Sequence, residues 1–226
     1  MNRTQLLRKT IQAIVESSDE RHAINAIYCD MDGVLVDFEQ GAVKLVSDIL
    51  KGIADPEWTS GSKSIEKNIK KLRETLGGDW YPTTREDLDE KIVRQIMLSS
   101  ISLNPGQFFK MLSPFKDGIT ELWPFLNSLG LPVHILSAPV YGQGMTAAEG
   151  KTIWIKEYLH PQPSSIIIVP AAEKQHYAIA NGVPNLLVDD KVSTIVTWNE
   201  LNGVGVLHEP GNSSKSINEI ESRVRL

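Results

Sequence analysis

The stretch Ile27-Tyr28-Cys29-Asp30-Met31-Asp32-Gly33-Val34-Leu35-Val36-Asp37-Phe38 decides how the rest of the chain is read. An apolar run suited to a buried strand passes directly into two aspartates one residue apart, then a glycine. In α/β proteins ligands bind in the crevice beyond the carboxyl ends of the strands, so acids at such an end face a site. Two carboxylates so close repel unless something positive shares the place, and a hard divalent cation supplies that. Gly33 allows a sharp turn and a close approach of backbone to ligand.

Working outward, five short apolar runs read as strands: Ala26–Cys29, Val133–Leu136, Ile166–Val169, Leu186–Val188 and Val204–Leu207. Between them lie helical patterns over Phe115–Leu129, Gly150–Leu159, Lys174–Asn181 and Val192–Asn199. This alternation predicts an α/β fold, a parallel sheet of about five strands flanked by helices. Gly130 with Leu131-Pro132, and Gly182-Val183-Pro184, stop a helix before the second and fourth strands. From about Gly41 to Lys110 the rhythm fails. That stretch is helical, with Val43, Val46 and Leu50 on one face and breakers at Gly61-Ser62, Gly77-Gly78 and Pro82. The expected layout is an α/β core from 1–40 and 111–226 and a helical cap, 41–110, inserted after the first strand. An amphipathic helix over 1–20 is expected from Leu6, Leu7, Ile11, Ile14 and Val15.

Composition narrows the classes. The chain has 226 residues, 41% hydrophobic and 23% charged, which excludes wholesale disorder, a collagen-like chain and a membrane bundle. No apolar run approaches the roughly 18–20 residues needed to span a bilayer. Met1–Glu20 lacks the continuous apolar centre of a signal peptide. Cys29 is the single cysteine, so intrachain disulfides and cysteine zinc sites are excluded and a reducing, cytoplasmic location is expected. The formal net charge of -5 gives no chain-wide attraction for nucleic acid.

Three further signals carry chemistry. Leu186-Leu187-Val188-Asp189-Asp190 is a second strand ending in paired acids, and two such ends can converge on one Mg²⁺, which prefers oxygen ligands and works with phosphates. Val133-His134-Ile135-Leu136-Ser137-Ala138-Pro139 is a strand ending in a hydroxyl, which with nearby N–H groups suits a phosphate oxygen. Lys151 begins the helix Lys151-Thr152-Ile153-Trp154, where a lysine acts as a point charge. Each alone has an ordinary reading as a turn, a cap or a solvated side chain. Their order along one chain is what distinguishes them.

That ordered set resembles the haloacid dehalogenase (HAD) superfamily of phosphohydrolases. Asp30 and Asp32 match its first motif, Ser137 the second, Lys151 the third, and Asp189 with Asp190 the fourth; the insertion matches its helical cap of the C1 type. The segment Asp30 to Glu39 is very similar to the opening motif of the 5′(3′)-deoxyribonucleotidases. Phe108-Phe109-Lys110-Met111-Leu112-Ser113-Pro114 and the Lys-x-x-Trp at Lys151 resemble that family as well. The resemblance implies a Mg²⁺-dependent phosphomonoesterase in which Asp30 forms an aspartyl-phosphate and Asp32 is the general acid and base. It implies that Asp30, Asp189 and Asp32, the last through its carbonyl, hold the metal. Ser137, Ala138 and Lys151 are then expected around the phosphate. The lysine stays open between Lys151 and Lys174, which follows the third strand.

The expected substrate is a small phosphorylated metabolite, a (deoxy)ribonucleoside monophosphate first, and neither a membrane nor nucleic acid is expected as partner; a homodimer is compatible with the sequence. The resemblance suggests an aromatic base pocket, for which Phe38, Trp80 and Phe108 are the candidates. The alternatives are a HAD phosphatase for another small phosphate or a nucleic-acid 3′ end, or a HAD-fold binding protein without turnover. The basic cap cluster Lys63, Lys67, Lys70, Lys71 and Arg73 reads as a solvated helix face.

Overall fold

The computed structural model describes residues 22–225, so the helix expected over 1–20 lies outside the described residues. Five parallel strands form the central sheet: β1 Ile27–Cys29, β2 Val133–Ser137, β3 Ser165–Ile168, β4 Leu186–Asp189 and β5 Val204–Leu207. Their spatial order is β3-β2-β1-β4-β5. The chain moves one way from β1 to β2 and β3, then crosses to β4 and β5. The topological switch therefore falls between β1 and β4, where an open α/β sheet binds its ligand. Cys29 is in register with Val188, so Asp30 and Asp189 each lie one residue past a matched pair.

Side-chain alternation builds a core on both faces of the sheet. Ile27 and Cys29 enter the larger apolar cluster, and Tyr28 enters a smaller one with Leu136, Leu187 and Trp198. Burial on both faces is why these strands read as continuous apolar runs. The predicted strands differ from the observed ones by at most a residue at either end.

The cap region contains α1 Phe38–Lys51, α2 Lys63–Leu76, α3 Lys91–Ile101 and α4 Pro105–Lys110. Asp37 caps α1 through its side chain, which accepts from Gln40 N, so the first helix starts before the boundary expected at 41. The core helices are α5 Trp123–Ser128, α6 Ala147–Tyr158, α7 Val192–Glu200 and α8 Ser213–Arg223. A capping box between Thr146 and Glu149 starts α6, the helix that carries Lys151. Among the described residues no helix is long and apolar enough to cross a membrane.

The return from cap to core is tightly joined. A Cβ built on Gly150 of α6 would lie 2.0 Å from the Gly106 carbonyl oxygen of α4, and one on Gly106 would lie 2.5 Å from that of Thr146. Only glycine permits this crossing. Buried Trp154 donates from Nε1 to the Leu112 carbonyl at 2.9 Å, fixing the strap that follows α4.

One expectation is corrected. The helix predicted over Lys174–Asn181 is a 3₁₀ segment, Ala171–Tyr177, followed by a small antiparallel hairpin pairing Ile179–Ala180 with Val183–Pro184. Asn181 and Gly182, with φ of 53° and 79°, make the turn, so an Asn-Gly hairpin signal prevails over helical periodicity. The helix predicted over Phe115–Leu129 is present as one continuous helical run over 116–128, with a π turn at Gly118–Leu122 leading into α5. Pro124 has no N–H to donate, which favours irregular hydrogen bonding before it. Helix α8 was not anticipated, although Ile217, Ile220 and Val224 keep helical spacing.

Candidate active site

The ends of β1 and β4 bring three carboxylates and one lysine together. Asp30 Oδ1 accepts the Met31 N–H at 2.7 Å, and its Oδ2 lies 2.8 Å from Lys174 Nζ. Lys174 also donates to Asp189 Oδ2 at 2.7 Å, while Asp189 Oδ1 accepts Lys191 N–H at 2.8 Å. All three side chains are buried. Burial works against the charge on Lys174, but the Asp30 and Asp189 carboxylates outweigh it and hold the ammonium above the usual lysine range. Burial likewise opposes ionisation of Asp30, and Lys174, then Lys151, overcome it, so Asp30 stays below the usual carboxylate range.

Asp190 completes an acidic cluster. One oxygen each from Asp30, Asp189 and Asp190 lies within 4.8 Å of the others. Loss of water on the inner side of Asp190, then repulsion from Asp30, Asp189 and Asp32, pushes its pKa up to about 7, although its outer edge is exposed. Burial followed by Asp30 pushes Asp189 up to about 6, against the pull of Lys174. Crowded hard oxygen donors with raised pKa values fit a divalent cation of the Mg²⁺ class. Gly33, at φ 73°, makes room for this cluster, because a Cβ there would lie 2.2 Å from Asp190 Oδ2.

Beside it, Asp32 has a different setting. Its Oδ2 lies 2.6 Å from Lys151 Nζ, which also donates to Ser137 Oγ and the Ala138 carbonyl, each at 2.8 Å. Lys151 is fully buried, and its ammonium sits 4.3 Å from the centre of the Phe109 ring. Asp32 Oδ1 has no hydrogen-bond partner among the described residues. Burial, then repulsion from Asp30, raises the Asp32 pKa despite Lys151. Lys151 and Lys174 therefore both belong to the site, each on its own aspartate.

A cavity of about 240 Å³ opens from Asp32, lined by Phe38, Glu39, Phe115, Val140 and Asp190 among others. Of the expected substrate residues, Phe38 is on this wall. Phe108 is buried behind it, ring centres 5.4 Å apart and edge-on, so it supports Phe38 instead of meeting the cavity. Trp80 does not line the cavity. Its neighbour Tyr81 lies under the Lys51 ammonium at 3.9 Å, at the far end of α1 from Phe38 and some ~20 Å along the helix axis. Lys63, Lys67, Lys70 and Lys71 are exposed on α2, and Arg73 donates to the Leu50 carbonyl. His134 is half-buried and bonds Ser165 Oγ at 2.7 Å. Sequence reasoning did not single out Glu39 and Phe115, which lack a distinguishing pattern.

No family model and no curated protein matches the chain. Solved structures with a similar course of chain include a hydrolase from Streptococcus pneumoniae TIGR4, 12% identical, covering 87% of this chain and 99% of that one, with a TM-score of 0.48. A HAD-superfamily hydrolase of subfamily IA from Geobacter sulfurreducens PCA is 12% identical over 82% of this chain and 87% of that one, TM-score 0.45. The L-2-haloacid dehalogenase from Xanthobacter autotrophicus is 14% identical over 81% and 77%, TM-score 0.47.

Proposed function

We propose that this chain is a metal-dependent phosphomonoesterase of the HAD type, acting through a phosphoaspartate on Asp30, with nucleoside monophosphates as its substrates. The observation that carries the reading is the opposed environments of Asp30 and Asp32. Asp30 is ion-paired and kept ionised, as a nucleophile requires. Asp32 lines the cavity with a raised pKa, one oxygen fixed by Lys151 and the other buried without a partner among the described residues, which suits a proton donor.

In the first step an Asp30 oxygen bonds to phosphorus while the ester P–O bond breaks, and Asp32 gives its proton to the departing alkoxide. In the second, Asp32 takes a proton from water, whose oxygen attacks the phosphoaspartate and releases inorganic phosphate. Ser137 and Lys151 border the place where phosphoryl oxygens would lie and supply a hydroxyl and a positive charge. A divalent cation held by Asp30, Asp189 and Asp190 would neutralise charge on the phosphoryl group. Dehalogenation is a weaker reading, because a halide leaves without a proton and would not use Asp32 as a proton donor. The apolar wall of Phe38, Phe115 and Val140 supports an organic group such as a nucleoside.

The test is phosphate release from a panel of phosphorylated metabolites, with Mg²⁺ and with chelator. Asp30→Asn should lower kcat by at least about 10⁴-fold. Acid-quenched wild type should carry phosphate on Asp30 by mass spectrometry. Full turnover in chelator, or in the variant, would end this reading; equal rates on sugar phosphates and nucleotides would end only the nucleotide part.

A further inference from the structure

The outer cavity differs in charge from its inner end. Among the described residues no lysine, arginine or histidine lines it. Lys151 and Lys174 are buried and engaged on Asp32, Asp30 and Asp189, behind the wall. The outer lining carries instead Asp37 and Glu39, with Phe38, Phe115 and Val140. Asp37 is fixed there because it caps α1. Glu39 is fixed by Arg85 of the cap, whose Nε lies 2.8 Å from Glu39 Oε1. Glu86 and Asp89 add negative charge around Glu39, and Arg94 offsets Asp89 at 3.1 Å. Counting Glu39 itself, the described residues here give four carboxylates to two guanidinium groups.

We infer that this rim selects phosphomonoesters whose organic group carries no second negative charge, with Glu39 as the specificity-determining residue and Arg85 as its positioning partner. The inference rests on the phosphomonoesterase reading and narrows it. The phosphoryl group is served at the inner end by Lys151, Ser137 and the acidic cluster with its cation. The remainder of the substrate must lie against Phe38, Glu39 and Val140. A neutral or cationic group is accepted there. A carboxylate or further phosphate meets like charge in a partly dry cleft, where repulsion is little screened. Oligonucleotide 3′ ends, which carry a phosphate at every step, are refused on the same ground.

Three esters of similar size test this: propyl phosphate, 2-aminoethyl phosphate and 2-phosphoglycolate, each assayed for kcat/KM at saturating Mg²⁺. Phosphoglycolate should be at least about tenfold slower than propyl phosphate, and aminoethyl phosphate no slower. Glu39→Gln should narrow the propyl-to-glycolate ratio by at least about threefold, and Arg85→Gln, which leaves Glu39 unopposed, should widen it. Salt at about 0.5 M should narrow it in the wild type. Damage to folding lowers all three rates together and leaves the ratio alone. Phosphoglycolate as fast as propyl phosphate, or a ratio indifferent to Glu39→Gln, would overturn the charge rule while leaving the phosphomonoesterase standing. Hydrolysis of none of the three, nor of a nucleoside monophosphate assayed beside them, would overturn both.

Discussion

The site has two halves, each an aspartate held by a buried lysine, and they are not alike. In the half between β1 and β4, Lys174 bridges Asp30 and Asp189 and every charged atom has a partner. In the half between β1 and β2, Lys151 holds one oxygen of Asp32, and the other is buried without a hydrogen-bond partner among the described residues, on a side chain that is 28% exposed. One half is fully ion-paired, and the other keeps a raised pKa and a spare oxygen. The same residue types two positions apart acquire different chemistry because β1 delivers them to different neighbouring strands.

The largest expected effect comes from the ion-paired half. Lys174→Met would leave Asp30 and Asp189 buried together without a cation and should cost about 3–5 kcal/mol in urea unfolding, with loss of turnover. A variant as stable as the wild type would mean that the ion-paired half is solvated after all. Lys151→Met should cost less stability, because Asp32 faces the cavity, and should lower kcat by about 10²-fold. With Lys151's lowering influence gone, the Asp32 pKa should rise, moving the alkaline limb of the pH–rate profile upward. An unmoved limb would show that Lys151 does not tune Asp32.

The acidic cluster gives a third test. Asp189 and Asp190 have folded-state pKa values of about 6 and about 7, above their ordinary 3.8. A raised carboxylate pKa means the folded state keeps protons that the unfolded chain has released, so its stabilising share is lost as pH rises. Asp30, shifted downward, and Lys174, shifted upward, titrate outside that window. Without metal, the Tm should fall between about pH 5 and about pH 8. Added Mg²⁺ should raise Tm more at the upper end, where the carboxylates are free to bind it. A flat Tm with chelator, or a larger Mg²⁺ effect at pH 5, would contradict the cluster. The smallest effect is expected at Trp80. Trp80→Ala should weaken the cap by about 1–2 kcal/mol, less than a fully buried tryptophan, and lower kcat/KM equally on a nucleotide and on p-nitrophenyl phosphate. A selective loss on the nucleotide would return Trp80 to the substrate.

The ion-paired half was only partly legible. Asp30, Asp189 and Asp190 stood out because paired acids after apolar runs break the pattern of a buried strand. Lys174 stood only as the alternative to Lys151, because a lysine's long side chain hides its target, and its apparent helix concealed the 3₁₀ segment that aims it at Asp30. The other half was legible in Asp32, Ser137 and Lys151, yet their joint contact depends on the Gly150 crossing, which no local pattern announces. The strands were read closely because burial on both faces leaves few residue types available to them. Trp80 does not line the cavity, and a glycine-flanked aromatic in a cap loop has no sequence mark saying which end of α1 it will meet.

The Gly106–Gly150 contact has a mechanical consequence. Lys151 is the very next residue after Gly150, so the ammonium that steadies Asp32 is anchored to the same seam that joins α4 to α6. A hinge that parts this seam would pull the lysine off the acid. Freedom of movement in the cap must then lie on the α1 side, where the rim pair Glu39–Arg85 is exposed, and the return side acts as the fixed jamb on which such a door hangs.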